Sequence, residues 1–584
     1  MIRAKLARIL AVAAVRQRRI LRQSELAFIA LAALVGIGAG LLTLTQQFLA
    51  HGMQHILYGI EENRLSALAS IEHPWRLLAL PLGGLSLVLV AFLLRGRRAP
   101  IDVVEANALH GGRIPWRDNL VVALQTILSN GTGASVGLEA AYAQMGGGLG
   151  SVVGQWLHLR RNDLRTLLGA GAGAAIGAAF GAPLTGAFYA FEIVIGTYVP
   201  AAIAPVVAAS LTATVAARML GVEPYLIATS ASHPLTFEYY IAYGVLGLLC
   251  AGLGIVIMRL VTAAEMAVQG MKWLGRWKPL VGGLLLMPIA YISPQALSSG
   301  HGALHLDLLL LPAISVLLVI VVCKIAASVI SLSFGFRGGL FFASLFLGSV
   351  VGQLFAQSVN LMGLGFTLDP VDSALVGMAG LSVSIVGGPM TLAMLTLEIT
   401  HNFALTGIVL TAAILSTATT RETFGYSFST WRLHLRGSAV RSARDIGWAI
   451  SLTAGRVMRR DWVSIDQTAK VREFRRRVPL GSASKAILVD KQGQYAGIVS
   501  TATAHREDVA PDAWLASIST LEDVALSPAT QIGEVLRIFD ANSADELAVV
   551  DANRKVIGVV TEKYARRRYA EEIELSQRQL FGES

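Results

Sequence analysis

TGASVGLEAAYAQMGGGLG, from Thr132 to Gly150, is an apolar, glycine-rich stretch holding a single carboxylate. That carboxylate, Glu139, is the only charged or histidine side chain between Asp118 and His158. In a membrane it costs about 2.5–3.5 kcal/mol to insert, and ionisable residues kept at that cost mark ion or proton paths. The glycines leave backbone N–H groups accessible, and N–H groups at a helix start attract anions. A tethered carboxylate among such amides can occupy an anion's place and vacate it when protonated.

The surrounding composition supplies the membrane. With 584 residues, 54% hydrophobic and 15% charged at a mean hydropathy of +0.59, the chain is too apolar for one soluble domain. Low-charge runs recur at about 25–50, 76–95, 119–157, 164–220, 237–263, 278–292, 308–363 and 374–420, several long enough for a span of roughly 20 residues. From about 430 onward the chain reads as soluble. The net charge of +10 does not form an interleaved basic and aromatic surface, so no nucleic-acid partner is expected. Arg3, Lys5, Arg8, Arg16, Arg18, Arg19 and Arg22 precede the first apolar run, which places the N-terminus in the cytoplasm beside anionic lipid. The length of that leader and of the next apolar stretch argues against a signal peptide. Cys250 and Cys323 both lie in apolar runs, so neither a disulfide framework nor a cysteine metal site is expected. His301 and His305 lack a third ligand. An enzyme is not expected either: the apolar segments hold no paired aspartates, HExxH, or serine with lysine or histidine.

The membrane half repeats itself. LGSVVGQ occurs at Leu149–Gln155 and again at Leu347–Gln353, and GAPLTGAFYAFEI from Gly181 aligns without gaps to GGPMTLAMLTLEI from Gly387. The two pairs have about the same offset. Such a duplication is a typical transporter architecture, with the site near the midplane where broken helices of the two halves meet. Whether the halves run parallel or inverted is open at this level. Gly131, Gly133 and Gly137 in one half, and Gly335, Gly338 and Gly339 in the other, each precede an apolar helical stretch. Half-helices starting there direct positive dipole ends inward, which suits an anion; close helix packing is the plainer use of small residues.

Over roughly residues 25–437 the chain resembles the CLC family of chloride channels and chloride/proton exchangers. The family's G-K/R-E-G-P motif is similar to Gly137, Leu138, Glu139, Ala140 and Ala141, followed by Gln144 and Gly146. The AxFxAPLxG segment and its glutamate resemble AAFGAPLTGAFYAFEI, ending with Glu192 and Ile193. The GGxF segment is Gly338–Phe341, and the late helix is GGPMTLAMLTLEIT with Glu398. The resemblance implies that Glu139 is the gating glutamate and that backbone amides of Leu340 and Phe341 bind the central anion. It implies structural roles for Glu192 and Glu398, no cofactor and no metal.

Departures from the family are as informative. The G-S-G-I-P loop falls on Gly96–Pro100, with Arg97 where the anion-binding serine stands. Arg97 would either raise the local anion concentration or snorkel to the headgroups. The anion-contacting tyrosine falls on Ser429, or on Phe428 in an alternative alignment; a serine there can donate to chloride or cap a helix. The exchangers' inner proton glutamate is replaced by Ile193, as in channels.

In the tail, AILVD with YAGIVS and ELAVV with VIGVV form a repeated α/β unit that resembles a tandem CBS pair. Such pairs hold adenine nucleotides with a Ser or Thr and an Asp three residues later. Ser500 and Thr561 occupy the first position, but Thr503 and Tyr564 replace the Asp, so dimer contact is the preferred role over a nucleotide site. Arg566–Arg568 read as a solvated helix face, with phosphate or acidic lipid as the alternative.

The expected fold is therefore an all-α polytopic membrane protein of CLC type, with two repeated halves and broken helices, plus a cytoplasmic α/β CBS pair. Its parts are a basic cytoplasmic segment at 1–24, a transmembrane domain at 25–437, a linker at 438–454 and the pair at 455–584, about 455–508 and 516–575. The expected function is transport of chloride or another small anion by a homodimeric, proton-coupled exchanger in the inner (plasma) membrane, with both termini cytoplasmic. The alternatives are a voltage- or pH-gated channel without proton coupling, and, more remotely, a membrane sensor or scaffold with a vestigial pore.

Overall fold

The computed structural model describes residues 24–60, 64–68, 70–71, 73–95, 98–222, 227, 237–363, 365–435 and 452–581. The basic residues of the N-terminus, Arg97 and most of the expected linker lie outside them. The chain divides into two units, Met1–Asp445 and Ile446–Ser584.

The first unit is helical. In chain order its helices are α1 (Glu25–Tyr58), α2 (Ala79–Leu93), α3 (Val103–Leu109), α4 (Trp116–Gly131), α5 (Glu139–Trp156), α6 (Arg161–Phe180), α7 (Pro183–Tyr189), α8 (Pro200–Met219) and α9 (Phe237–Gly270). They continue with α10 (Lys278–Ile292), α11 (His301–Leu310), α12 (Ile314–Ser333), α13 (Phe341–Met362), α14 (Pro370–Val386), α15 (Pro389–Thr400), α16 (Phe403–Thr423) and α17 (Phe428–Leu435). Among the described residues seven helical stretches are long and apolar enough to cross a membrane. Others, such as α7 and α15, are too short and begin at a proline, whose missing N–H costs nothing in a first turn.

The duplicated glycines act at the helix contacts. A Cβ on Gly348 of α13 would overlap the carbonyl oxygen of Gly377 in α14, and one on Gly377 would overlap that of Gly348. The two backbones therefore touch, as small residues allow in lipid.

Side-chain bonds at the helix ends settle how the halves are related. Ser66 Oγ accepts from the N–H groups of Gly302 (3.0 Å) and Ala303 (3.3 Å), which sets α11 at the face where α1 ends. Gln357 near the end of α13 donates to Pro312 O (2.9 Å), just after α11. In the other half Gln155 at the end of α5 donates to Ile114 O (3.2 Å), beyond the far end of α2. Helices α5 and α13 thus run from the middle towards opposite faces. The repeats are inverted.

The second unit contains α18 (Ala454–Val457), β1 (Ser464–Asp466), α19 (Val471–Arg477), β2 (Lys485–Val489), β3 (Tyr495–Ser500), α20 (Thr501–Ala504), α21 (Ile532–Asn542), β4 (Glu546–Val550), β5 (Val556–Thr561) and α22 (Glu562–Phe581). Strand β1 runs parallel to β2, and the antiparallel hairpins β2–β3 and β4–β5 are alike in detail. Lys485 pairs with Ser500 and Glu546 with Thr561. Each register shifts once, after Leu488 and after Val549. A shared cluster of Ile487, Tyr495, Ile498, Ala548 and Val559 packs one hairpin on the other.

Candidate anion and proton site

The loops that start α5 and α13 meet. Gly137 N–H donates to Gly339 O (2.8 Å) and Gly339 N–H to Gly137 O (3.2 Å), forming an antiparallel bridge between the two halves. Upstream, Gly133 and Gly335 occupy equivalent places with φ of 95° and 98°, a region that favours glycine. Aligned on these glycines, Gly133-x-x-x-Gly137-Leu138-Glu139 matches Gly335-x-x-x-Gly339-Leu340-Phe341. Glu139 and Phe341 are the first residues of their helices.

Four helix starts belong to the duplicated segments, and two of them are stoppered. Glu398 accepts from Leu184 N–H (2.7 Å), Thr185 N–H (2.8 Å) and Thr185 Oγ1 (2.7 Å), capping α7. Glu192 accepts from Met390 N–H (3.2 Å), Thr391 N–H (2.8 Å) and Thr391 Oγ1 (2.7 Å), capping α15. Each carboxylate comes from the opposite half and satisfies amides that a helix start leaves open. Among the described residues, the starts of α5 and α13 carry no such stopper.

Glu139 is 2% exposed, and among the described residues neither of its carboxylate oxygens has a hydrogen-bond partner. The side chain folds back over Gly137, where a Cβ would overlap Oε2, so a side chain at position 137 would compete with the carboxylate for this place. The N–H groups of Glu139 itself and of Phe342 lie beside the carboxylate, and the charge of Lys324 acts on it. Lys324 is 1% exposed on α12; its Nζ donates to Ala296 O (3.2 Å) and Ser298 O (2.8 Å). Phe342 in turn stacks on His301 with ring centroids 3.3 Å apart, and Ser299 Oγ lies 2.6 Å from His301 Nδ1.

A cavity of about 520 Å³ reaches this point. Its wall brings together Glu139, Leu340, Phe341 and Ser429, with Gly338, Gly339 and Ile193 beside them. Arg276, Lys278, Arg337 and Arg432 also line it, against the acids Glu265 and Asp102; Arg432 pairs with Glu265 at 3.4 Å. Capping of α17 falls to Ser427 and Thr430, whose N–H to Oγ1 bond is 3.0 Å, and Ser429 faces the cavity. Phe428, the alternative to Ser429, lines the same wall. Glu192 and Glu398 do not line it. Lys324 and Arg337 were missed from sequence. The signal for Lys324 was the one that singled out Glu139, an ionisable residue alone in an apolar run, here VVCKIAAS.

In the second unit Ser500 and Thr561 end β3 and β5 at matching positions, each directly before a helix.

A profile of the voltage gated chloride channel family matches residues 83–421, and a CBS domain profile matches 516–571. A ClcB-like chloride channel protein of Ralstonia nicotianae is 26% identical over 408 residues, covering 68% of this chain and 94% of that protein. The voltage-gated ClC-type chloride channel ClcB of Escherichia coli is 25% identical over 361 residues, covering 60% and 84%. Among solved structures, a slow cyanobacterial Cl⁻/H⁺ antiporter aligns with a TM-score of 0.62 at 21% identity, over 70% of this chain and 97% of that one. A CLC-type fluoride/proton antiporter aligns at 0.58 and 21%, over 68% and 95%. A eukaryotic CLC transporter aligns at 0.58 and 17%, over 92% and 97%.

Proposed function

Because this chain belongs to the voltage gated chloride channel family, and so is a multi-pass membrane protein of CLC-type chloride transport, we propose that it exchanges chloride for protons with Glu139 as the gate. One observation carries the reading. A buried carboxylate without a hydrogen-bond partner among the described residues stands at the end of a cavity, between two helix starts that have no side-chain cap. While ionised, the carboxylate holds the place that those amides would give an anion. Protonation removes its charge and its attraction to them, and the side chain leaves. Chloride then takes the amides of Leu340 and Phe341, where the α13 dipole adds to the attraction. Ser429 contributes a hydroxyl from the cavity wall. When the anion departs towards the cavity, Glu139 gives up its proton and returns, so one cycle moves the two ions in opposite senses.

Two structures similar in fold, a Cl⁻/H⁺ antiporter and a fluoride/proton antiporter, support coupling. Ile193 favours the second reading, a channel without proton coupling, because the cavity wall offers an isoleucine where exchangers carry a carboxylate. On the exchanger reading protons reach Glu139 through water in the cavity. The protein would sit in the inner (plasma) membrane as a homodimer, both termini in the cytoplasm, with the tail as a dimer contact. Ser500 and Thr561 are assigned no nucleotide.

The test is simultaneous recording of chloride and proton movement in liposomes holding a chloride gradient, with the potential set by valinomycin and potassium. Uphill proton movement driven by chloride is expected. Chloride flux with no proton movement would make the protein a channel or uniporter.

A further inference from the structure

The connection from α9 to α10 reads MKWLGRWK, from Met271 to Lys278. It sets a cation before a tryptophan twice, as Lys272-Trp273 and Arg276-Trp277, and then adds Lys278. Helix α9 is long and apolar enough to cross a membrane, and the segment follows its last residue directly. It therefore stands where a spanning helix meets water, the depth at which tryptophan collects. Within the segment only Leu274 is buried, at 5% exposed, whereas Trp273 is 82% and Trp277 54% exposed. Gly275, with φ 48° and ψ −118°, interrupts the turn between the two pairs, in a region that favours glycine. Leu274 thus ties the segment to the protein while both cation–tryptophan pairs remain outside.

The protein does not neutralise these cations. Among the described residues Lys272, Arg276 and Lys278 enter no ion pair and no side-chain hydrogen bond. No acidic residue occurs in the sequence between Glu265 and Asp307. Glu265, the nearer of the two, already pairs with Arg432 at 3.4 Å. The other basic run considered for acidic lipid behaves differently. Arg566 pairs with Glu562 (2.6 Å) and with Asp540, and Arg567 and Arg568 both reach Glu571 (2.7 and 3.0 Å). That run is a solvated helix face with its charge matched, whereas three cations within seven residues at the membrane's edge are unmatched.

We propose that this connection is a binding site for the headgroup of an anionic phospholipid, of the phosphatidylglycerol type. The Arg276 guanidinium offers two parallel donors to the two free oxygens of a phosphodiester, and Lys272 and Lys278 add point charges. The exposed indoles of Trp273 and Trp277 lie against the glycerol and upper acyl region of the same lipid, with their N–H groups free to meet polar atoms there. A zwitterionic headgroup brings its own ammonium into a cluster that has no carboxylate to receive it, so the site discriminates by the lipid's net charge. A soluble phosphate meets the cations but leaves the indoles unused.

The test uses the full-length protein in detergent. Phosphatidylglycerol and phosphatidylcholine of equal chain length are titrated in, retained lipid is read by native mass spectrometry, and thermal stability is followed with each lipid. The wild type is expected to retain phosphatidylglycerol in preference and to be stabilised by it. Lys272→Gln and Arg276→Gln should each weaken that lipid about fivefold, the factor for about 1 kcal/mol per basic residue near an anionic surface, with phosphatidylcholine unchanged. Trp273→Ala weakens both lipids. Lys272 and Trp273 are exposed and do not line the cavity, so their variants carry the test if Arg276→Gln fails to fold. Arg117→Gln removes a cation 5.5 Å from another exposed tryptophan, Trp116, and should leave the preference intact. Equal retention of the two lipids by the wild type, or a preference unchanged by Lys272→Gln and Arg276→Gln, would overturn the site. A preference lost equally in Arg117→Gln would replace it with diffuse surface charge. Displacement of phosphatidylglycerol by sn-glycerol 3-phosphate, with Trp273→Ala without effect, would reassign the cations to a soluble phosphate and sink the lipid.

Discussion

Glu139 and Phe341 occupy the same place in two copies of one loop, and on the proposed reading that exchange of a carboxylate for a phenyl ring decides which half gates. Phe341 cannot be protonated, so its half offers amides permanently; Glu139 can, so its half offers them conditionally. Glu139→Gln removes the titration while keeping size and hydrogen-bonding capacity. The expected result is loss of proton movement with anion flux retained and no longer dependent on pH, checked by paired chloride and pH recordings in liposomes from acid to neutral pH. Flux in the variant that keeps the wild-type pH dependence would remove Glu139 from the gate. Ile193→Glu is the converse experiment: a carboxylate on the cavity wall should speed proton delivery and raise the proton-to-chloride ratio if that supply is limiting. Glu139 was legible in the sequence because a lone carboxylate in an apolar run is costly. Arg337 was not, because an arginine among the glycines of SFGFRGG reads equally well as an ordinary loop residue until the fold shows a cavity beside it.

At the scale of elements, the reciprocal caps explain why the same glutamate appears twice. Glu192 stoppers α15 and Glu398 stoppers α7, each with three bonds, so each half completes a helix start of the other. Removing an N-cap costs about 0.5–2 kcal/mol, and a carboxyl cap with three donors belongs at the upper end. Glu192→Ala and Glu398→Ala should therefore lower thermal stability in detergent by similar amounts, about 2 kcal/mol each. Unequal losses would mean that one of the two caps has a further task. Glu192 is then the one to suspect, because it stands between Tyr189 and Ile193, both of which line the cavity. Helix contacts give a second prediction at this scale. Gly348→Leu places a side chain where the Gly377 carbonyl stands, so α13 and α14 cannot close. Little monodisperse protein is expected by size-exclusion chromatography, while Val350→Leu, two residues on and already packed through its side chain, should be tolerated far better. The repeated heptapeptide that contains Gly348 was readable as a duplication. Its inversion was not, because identical residues carry no record of the membrane face they approach; that needed Gln155 on Ile114 and Gln357 on Pro312.

Across the whole molecule, hydropathy marks the change from apolar helices to the less apolar α/β unit that follows, since the two differ in composition along their entire length. The tail's internal repeat was also readable, because strands announce themselves by short β-branched runs; the matched register shifts after Leu488 and Val549 were not, since a bulge leaves no mark in hydrophobicity. The cavity is lined wholly by residues between Asp102 and Arg432, all in the first unit. Every group assigned to anion or proton handling is therefore present in a chain ending at Leu435. Such a truncation is expected to keep anion flux and the effect of Glu139→Gln, and to change only the rate or its regulation, measured in liposomes beside the full-length protein at equal reconstituted mass. A truncated protein that is monodisperse and thermally stable yet carries no anion would mean that the transport path needs the second unit, and the assignment of every transport group to the first would fall.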